Sequence, residues 1–151
     1  MTITPGDLDD VRVRALLAHH VASARGATSP GSDHALDSEG LKTDDILFWT
    51  AWEGDCLVGV GALRPLSNDH GEIKSMHIDA SFRRRGIGSA MLLHIIDAAR
   101  ARGMHKLSLE TGSWDYFAPA RELYKKHGFV ECPPFGGYKA DPNSVFMSRT
   151  F

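Results

Sequence analysis

Residues Met76 to Ile96 read MHIDASFRRRGIGSAMLLHII, with three arginines and two glycines set between a strand-like run and a strongly apolar one. A helix N-terminus leaves its first backbone N–H groups without partners and carries the positive end of the helix dipole, so such a junction suits an anion. Gly86 and Gly88 lack a Cβ and would let phosphates approach the backbone, while Arg83, Arg84 and Arg85 add charge and forked donors. With Ile87 and Ser89 completing the first turn, residues 83 to 89 fit the chemistry of a pyrophosphate. A dinucleotide fingerprint would need a third glycine where Met91 stands, and a P-loop would need a Gly-Lys-Ser/Thr that is absent. The plain alternative is a solvated turn ahead of an amphipathic helix.

Outward from this junction the elements fall into place. Ile87, Met91, Ile95 and Ala98 stand at helical steps beside Leu92, Ile96 and Ala99, with Gly103 as the stop of a helix from Ile87 to Arg102. Upstream, EIKSMHID from Glu72 to Asp79 alternates as a strand; downstream, HKLSLET is strand-like, and a helix between two strands predicts a parallel crossover. ILFWTAWE and CLVGVGALRPL flank Gly54-Asp55 and read as a hairpin. The chain starts with a short strand at Thr2 to Thr4, a turn at Pro5-Gly6-Asp7, and a helix through Leu8, Val11, Ala15 and Leu16 to about Arg25. GATSPGSDHALDSEGLKTDD then predicts a loop with one short helix near Ala35 to Leu41. Near the end, YFAPARELYKKHGF predicts a helix with Phe117, Ala120 and Tyr124 on one face, Pro119 in its first turn and Gly128 as its stop. Strands around Phe129 to Glu131 and Ser144 to Thr150 follow, joined by the turn-rich PPFGGYKADPN.

The expected fold is α+β, a mixed α/β arrangement. A central mixed, mostly antiparallel sheet of six or seven strands is flanked by about four helices, in the order strand, two helices, three strands, helix, strand, helix, two strands. At 151 residues one domain, 1–151, suffices. A hydrophobic fraction of 42% and a charged fraction of 24% are ordinary for a globular chain. The net charge of -2 gives no surface-wide attraction to nucleic acid or anionic lipid, which counts against reading the arginine triplet as a nucleic-acid contact. With no leader-like start and no apolar run near the roughly 18 residues a bilayer demands, a cytoplasmic chain without membrane partners is expected. Cys56 and Cys132 suggest reduced, buried thiols. His19 and His20, adjacent on a helix, should point apart, and neither a His-Glu-x-x-His nor a Cys/His quartet is present, so no metal is expected. A Gly-x-Ser-x-Gly elbow is lacking, and Phe48, Trp49 and Trp52 read as packing residues.

Arg83-x-x-Gly86-x-Gly88, following a strand that ends in Met-His-Ile and opening a long helix, is succeeded by Ala120, Leu123, Tyr124, Gly128 and Phe129 of ARELYKKHGF. This pair of motifs resembles the GNAT superfamily of N-acetyltransferases, and the order of strands and helices extends the likeness over nearly the whole chain. The resemblance implies acetyl-CoA as co-substrate and no metal. It assigns the pyrophosphate of coenzyme A to Arg83, Arg84, Arg85, Gly86, Ile87, Gly88 and Ser89, and the pantetheine arm and thioester oxygen to the backbone of Met76, His77 and Ile78 on a strand splayed from its neighbour. Ala120 and Tyr124 would flank the thioester. Tyr124 would protonate the departing thiolate, which a phenol with a pKa of about 10 can do. Glu72 matches the position of a catalytic base; His77 is the weaker alternative, because alternation puts it on the opposite face from Glu72. Phe117 stands where many members carry an asparagine that contacts pantetheine, so its ring should pack beside the arm or fill the core.

The activity so implied is transfer of an acetyl group from the thioester to a primary amine of a small molecule, by direct attack in a ternary complex. Acetylation of protein lysines or N-termini stays open, as does a non-catalytic acyl-CoA sensor, and so does a homodimer. The acceptor site should come from the least regular segments: the Ser29 to Asp37 loop, Trp114, and the FGGYKADPN turn with Tyr138. Asp33, Asp37 and Glu39 could draw in a cationic amine, although such a run is usually a solvated face.

Overall fold

In the computed structural model, which describes residues 1–26 and 38–151, seven strands share one sheet. They are β1 (Thr2–Pro5), β2 (Leu47–Glu53), β3 (Cys56–Pro65), β4 (His70–Ile78), β5 (Lys106–Gly112), β6 (Val130–Glu131) and β7 (Ser144–Thr150), in spatial order β1-β2-β3-β4-β5-β7-β6. All neighbours are antiparallel except β4 and β5, which run parallel as a helical crossover between them requires. The helices are α1 (Val11–Gly26), α2 (Ile87–Ala101) and α3 (Ala118–Lys126). Three α-helices are therefore described against about four expected. The helix predicted near Ala35 to Leu41 falls partly outside the described residues, and 38–41 form turns. The segment ahead of α3 is a 3-10 turn, Asp115–Phe117, and Pro119 stands in the first turn of α3, where its missing N–H leaves nothing unpaired.

Helices cover both faces. α2 buries Ile87, Met91, Leu92, Ile95, Ile96 and Ala99 against Leu63, Ile73, Leu107 and Leu109, and Tyr124 and Phe129 join that layer from α3 and the turn after it. At about 1.5–3 kcal/mol per fully buried aliphatic side chain, α2 is held mainly by this stripe, and its first turn can be left to other work. α1 lies on the opposite face with Val13, Leu16 and Leu17 against Phe48, Val60, Ala62 and Leu41. The expected stripe through Leu8, Val11 and Ala15 is corrected here: Val11 is 78% exposed and Ala15 is exposed. Both stripes have helical spacing; the packing surface of β3 selects the one that buries Val13, Leu17 and Val21. The two cysteines are free, but Cys56 is exposed and Cys132 half-buried rather than buried, Cys56 because it sits directly after the Gly54–Asp55 turn at the tip of the hairpin.

Two irregularities in β4 shape the middle of the sheet. Its pairing with β5 stops after His70, Gly71 and Glu72, so beyond Glu72 the two parallel strands separate. On its other side the register with β3 slips by one residue between the Val60–His77 and Ala62–Lys74 pairs, where Ser75 takes φ 54. A bulge inserts one residue into the alternation. Glu72, Lys74 and His77, paired with Arg64, Ala62 and Val60, therefore share the α1 face, which corrects the expectation that His77 lies opposite Glu72.

Candidate active site

The separation of β4 from β5 opens a cleft of about 670 Å³ that passes between the strands, from the first turn of α2 to the inner face of α1. Its walls are Ile73 to Ile78 of β4, Leu109 to Gly112 of β5, and the inward side of α3.

One mouth is the junction singled out in the sequence. Gly86 caps α2 with φ 78, and no side chain among the described residues caps the helix. The first amide of α2 to find a backbone partner is that of Ala90, on Gly86 O at 3.0 Å, so the N–H groups of Ile87, Gly88 and Ser89 have no intrahelical acceptor. Arg84 holds φ 65, a left-handed conformation that costs a side-chain-bearing residue about 1–3 kcal/mol and tends to mark binding sites. A Cβ at Gly88 would come within 3.0 Å of Leu123 Cδ2, so that glycine sets how closely α3 approaches this mouth. Arg83, Arg84 and Lys126 line the cleft here; Arg85 does not, and its guanidinium lies 5.1 Å over the Phe82 ring. The Ser89 hydroxyl is hydrogen-bonded to His127 Nε2 at 2.9 Å. The donor set and the uncapped turn suit a diphosphate.

Along the wall, Asp79 N–H donates to Val58 O at 2.9 Å, so by alternation the amide of His77 turns toward β3 and that of Ile78 into the gap, while Met76 adjoins the bulge at Ser75 and lines the same wall. Of the three backbone groups expected there, that of Ile78 is thus aimed at the cleft. Facing them, the Tyr124 side chain is buried and its phenol is pushed up to about 12, by burial first and by Glu110 second. Ala120 and Phe117 line the same stretch. The Phe117 ring lies so close on Gly112 that a Cβ there would clash with it, so the residue that replaces the expected asparagine packs as part of the wall.

The inner half is polar and buried. Glu72 is fully buried and does not line the cleft. Its Oε2 accepts from the Tyr138 hydroxyl at 2.5 Å and lies 3.5 Å from Lys74 Nζ. Its Oε1 sits 3.0 Å from Arg64 Nη2, an ion pair without hydrogen-bond alignment. Lys74 Nζ donates to Tyr138 Oη at 2.8 Å, and its ammonium is pushed down by burial although Glu72 counters the shift. Lys74 lines the cleft, whereas Tyr138 and Trp114 of the expected acceptor segments do not, and the Ser29 to Asp37 loop lies outside the described residues. Glu39 pairs with Lys42 at 3.2 Å on the surface.

Sequence reasoning missed two features of this half. Glu110 of β5 lines the cleft, and burial pushes its carboxyl up to about 7, with Ser144 and Lys74 pulling the other way. Its place in an unremarkable strand gave no signal. His20 and His77 meet Nδ1 to Nδ1 at 3.0 Å, and the His19 ring also approaches His77, at 5.7 Å between centroids. His19 and His20 therefore converge on one partner instead of pointing apart, because the bulge carries His77 onto the α1 face. Burial, then neighbouring positive groups, push His20 down to about 4 and His77 down to about 3. Among the described residues no group of three or more potential ligands is placed to hold a metal.

The profile of the Acetyltransferase (GNAT) family matches residues 14–129. N-acetyltransferase YsnE of Bacillus subtilis is 49% identical over 149 residues, covering 99% of either chain. N-acetyltransferase YedL of Escherichia coli is 44% identical over 149 residues, 99% of this chain and 94% of that protein. A GNAT family acetyltransferase from Elizabethkingia anophelis, solved with acetyl-CoA bound, superposes with a TM-score of 0.72 over 99% of this chain and 97% of that one, at 18% identity.

Proposed function

This chain belongs to the GNAT family of acetyltransferases and is an acetyl-CoA dependent N-acetyltransferase, and from that premise we propose that it acetylates the primary amine of a small molecule by direct attack in a ternary complex. The observation that carries this reading is the gap between β4 and β5, with an uncapped helix N-terminus at one mouth and a buried polar chamber at the other. When bound, acetyl-CoA supplies an activated acetyl group on sulfur.

The chain's own residues do the rest. The free amides of α2, with Arg83 and Arg84 beside them, hold phosphate oxygens by charge-assisted hydrogen bonds. The N–H of Ile78 turns into the gap where a carbonyl oxygen gains charge, and preorganised donors of this kind are often the largest electrostatic contribution to acyl transfer. Tyr124 keeps its proton through the physiological range and gives it up as the sulfur departs. A phenol at about 12 is a weak donor, but a thiolate cut off from water is also a stronger base than usual, which narrows the mismatch. Neither cysteine lines the cleft, which favours direct attack over an acyl-enzyme. An acceptor would meet the thioester from the end of the cleft lined by His20, Ala24 and His77, away from the phosphate mouth.

The test is incubation with acetyl-CoA and a panel of primary amines, following thiol release and product mass. Acetylated small amines are expected. No product from any amine, with acetylated protein appearing in a lysate instead, would overturn the small-molecule reading.

A further inference from the structure

Resting on the acetyl transfer proposed above, we infer that Glu110, and not Glu72, is the general base that takes the proton from the acceptor ammonium. Position separates the two carboxylates first. Glu110 lies on β5 just past the point where β4 leaves it, and it lines the same cleft as Met76 to Ile78 of β4. Glu72 is on the closed side of that same point. Its two oxygens are engaged by Arg64, Lys74 and Tyr138, and no part of it lines the cleft. A base must reach the proton it removes, within about 2.6–3.2 Å or through one water. Glu72 fails that condition and serves as the anchor that positions Lys74 and Tyr138.

The surroundings of Glu110 suit the task. The groups facing it are Glu72 and Lys74 from β4, Tyr124 from α3, Tyr138 and Asp141 from the turn before β7, and Ser144 from β7. Burial dominates over these and brings the carboxyl near neutrality, where a base combines useful strength with partial ionisation. His20, half-buried, and His77, buried, are both pushed far below this range, so neither gives rise to a step near pH 7.

The protons balance. Glu110 takes one from the ammonium, and the freed nitrogen bonds to the acetyl carbon as the carbon–sulfur bond breaks. Tyr124 protonates the sulfur and recovers a proton from the new amide nitrogen. Glu110 releases its own to solvent, one per turnover.

The experiment measures kcat/KM against pH for wild type, Glu110→Gln, Glu110→Asp and Glu72→Gln, with an amine that ionises well above pH 7. Wild type should gain activity as pH rises through about 7. Glu110→Gln should lose about 10²–10³-fold and that limb with it, while Glu110→Asp keeps part of the rate and a displaced limb. Glu72→Gln should keep the limb. A Glu110→Gln enzyme within about threefold of wild type, or a limb lost in Glu72→Gln instead, would overturn the assignment. Thermal unfolding gives a readout independent of turnover. The folded chain holds the Glu110 proton between 4.5 and about 7 while the unfolded chain has released it, so the carboxyl weakens the fold as pH rises through that window and Glu110→Gln should gain stability over wild type there. A flat difference would refute the buried acid. Failure of wild type on every amine would instead strike the proposed acetyl transfer itself.

Discussion

The two ends of the cleft are built in opposite ways. The outer mouth comes mainly from one short stretch within residues 83 to 89, with Lys126 of α3 beside it, and its donors are mainly backbone amides released by a helix start. The inner chamber gathers single side chains from distant segments: His20 of α1, Lys74 and His77 of β4, Glu110 of β5, and Tyr138 behind them on the last turn. A backbone site depends on local φ and ψ, so it tolerates side-chain change but not a change of conformation. A side-chain site depends on how strands register and where a sheet opens. Mutations should therefore act on different observables at the two ends.

Tyr124 stands between the ends, and among the substitutions that probe this division Tyr124→Phe should have the largest effect. Loss of the proton donor should cut kcat about 100-fold while the affinity for acetyl-CoA, read by calorimetry, stays as in wild type. A parallel loss of affinity would place Tyr124 in the outer site and blur the division. Gly86→Val comes next. At φ 78 a β-branched residue is strained by about 2 kcal/mol, which should weaken acetyl-CoA binding about tenfold to thirtyfold and leave the chamber's pH behaviour intact. Unchanged affinity would mean that the left-handed cap is not what presents the amides.

At the other end, Tyr138→Phe removes the hydroxyl that joins Glu72 and Lys74. Leaving buried charged groups short of a partner should lower stability by about 1–3 kcal/mol in urea unfolding, with acetyl-CoA affinity unaffected. The smallest effect is expected at the histidine pair. Their folded values near 4 and 3 lie below the ordinary 6.5, so the unfolded chain takes up protons first and their contribution to stability fades as pH falls from 6.5 toward 4. His77→Gln should flatten the fall in Tm over that range by a few degrees; an unchanged slope would show that the pair is open to water.

Much of the fold was legible because periodicity and turn chemistry are local. The α2 stripe, the Gly103 and Gly128 stops, the hairpin about Gly54–Asp55 and the parallel crossover all follow from residues close together in the chain. The stripe of α1 was not, since two apolar faces with helical spacing were available and only the surface of β3 chose between them. Within the site the same line divides success from failure. Most residues that line the α2 mouth of the cleft could be named one by one, but Lys126 was not among them and Arg85 does not line it, because nothing in Arg-Arg-Arg says that one guanidinium will stack on Phe82. The convergence of His19, His20 and His77 was hidden by a single inserted residue, as strict alternation fails at a bulge.

By itself the sequence determined the helix that follows the arginine loop, the amides that helix frees, and the tyrosine-bearing helix farther along the chain. These depend on hydrogen bonding and side-chain spacing within a few turns of chain. Only the tertiary structure decided which carboxylate is sealed in the sheet and which meets the cleft. Glu72 and Glu110 differ by the point at which two parallel strands part, and that separation is set by packing on both faces of the sheet rather than by either residue's neighbours in the chain.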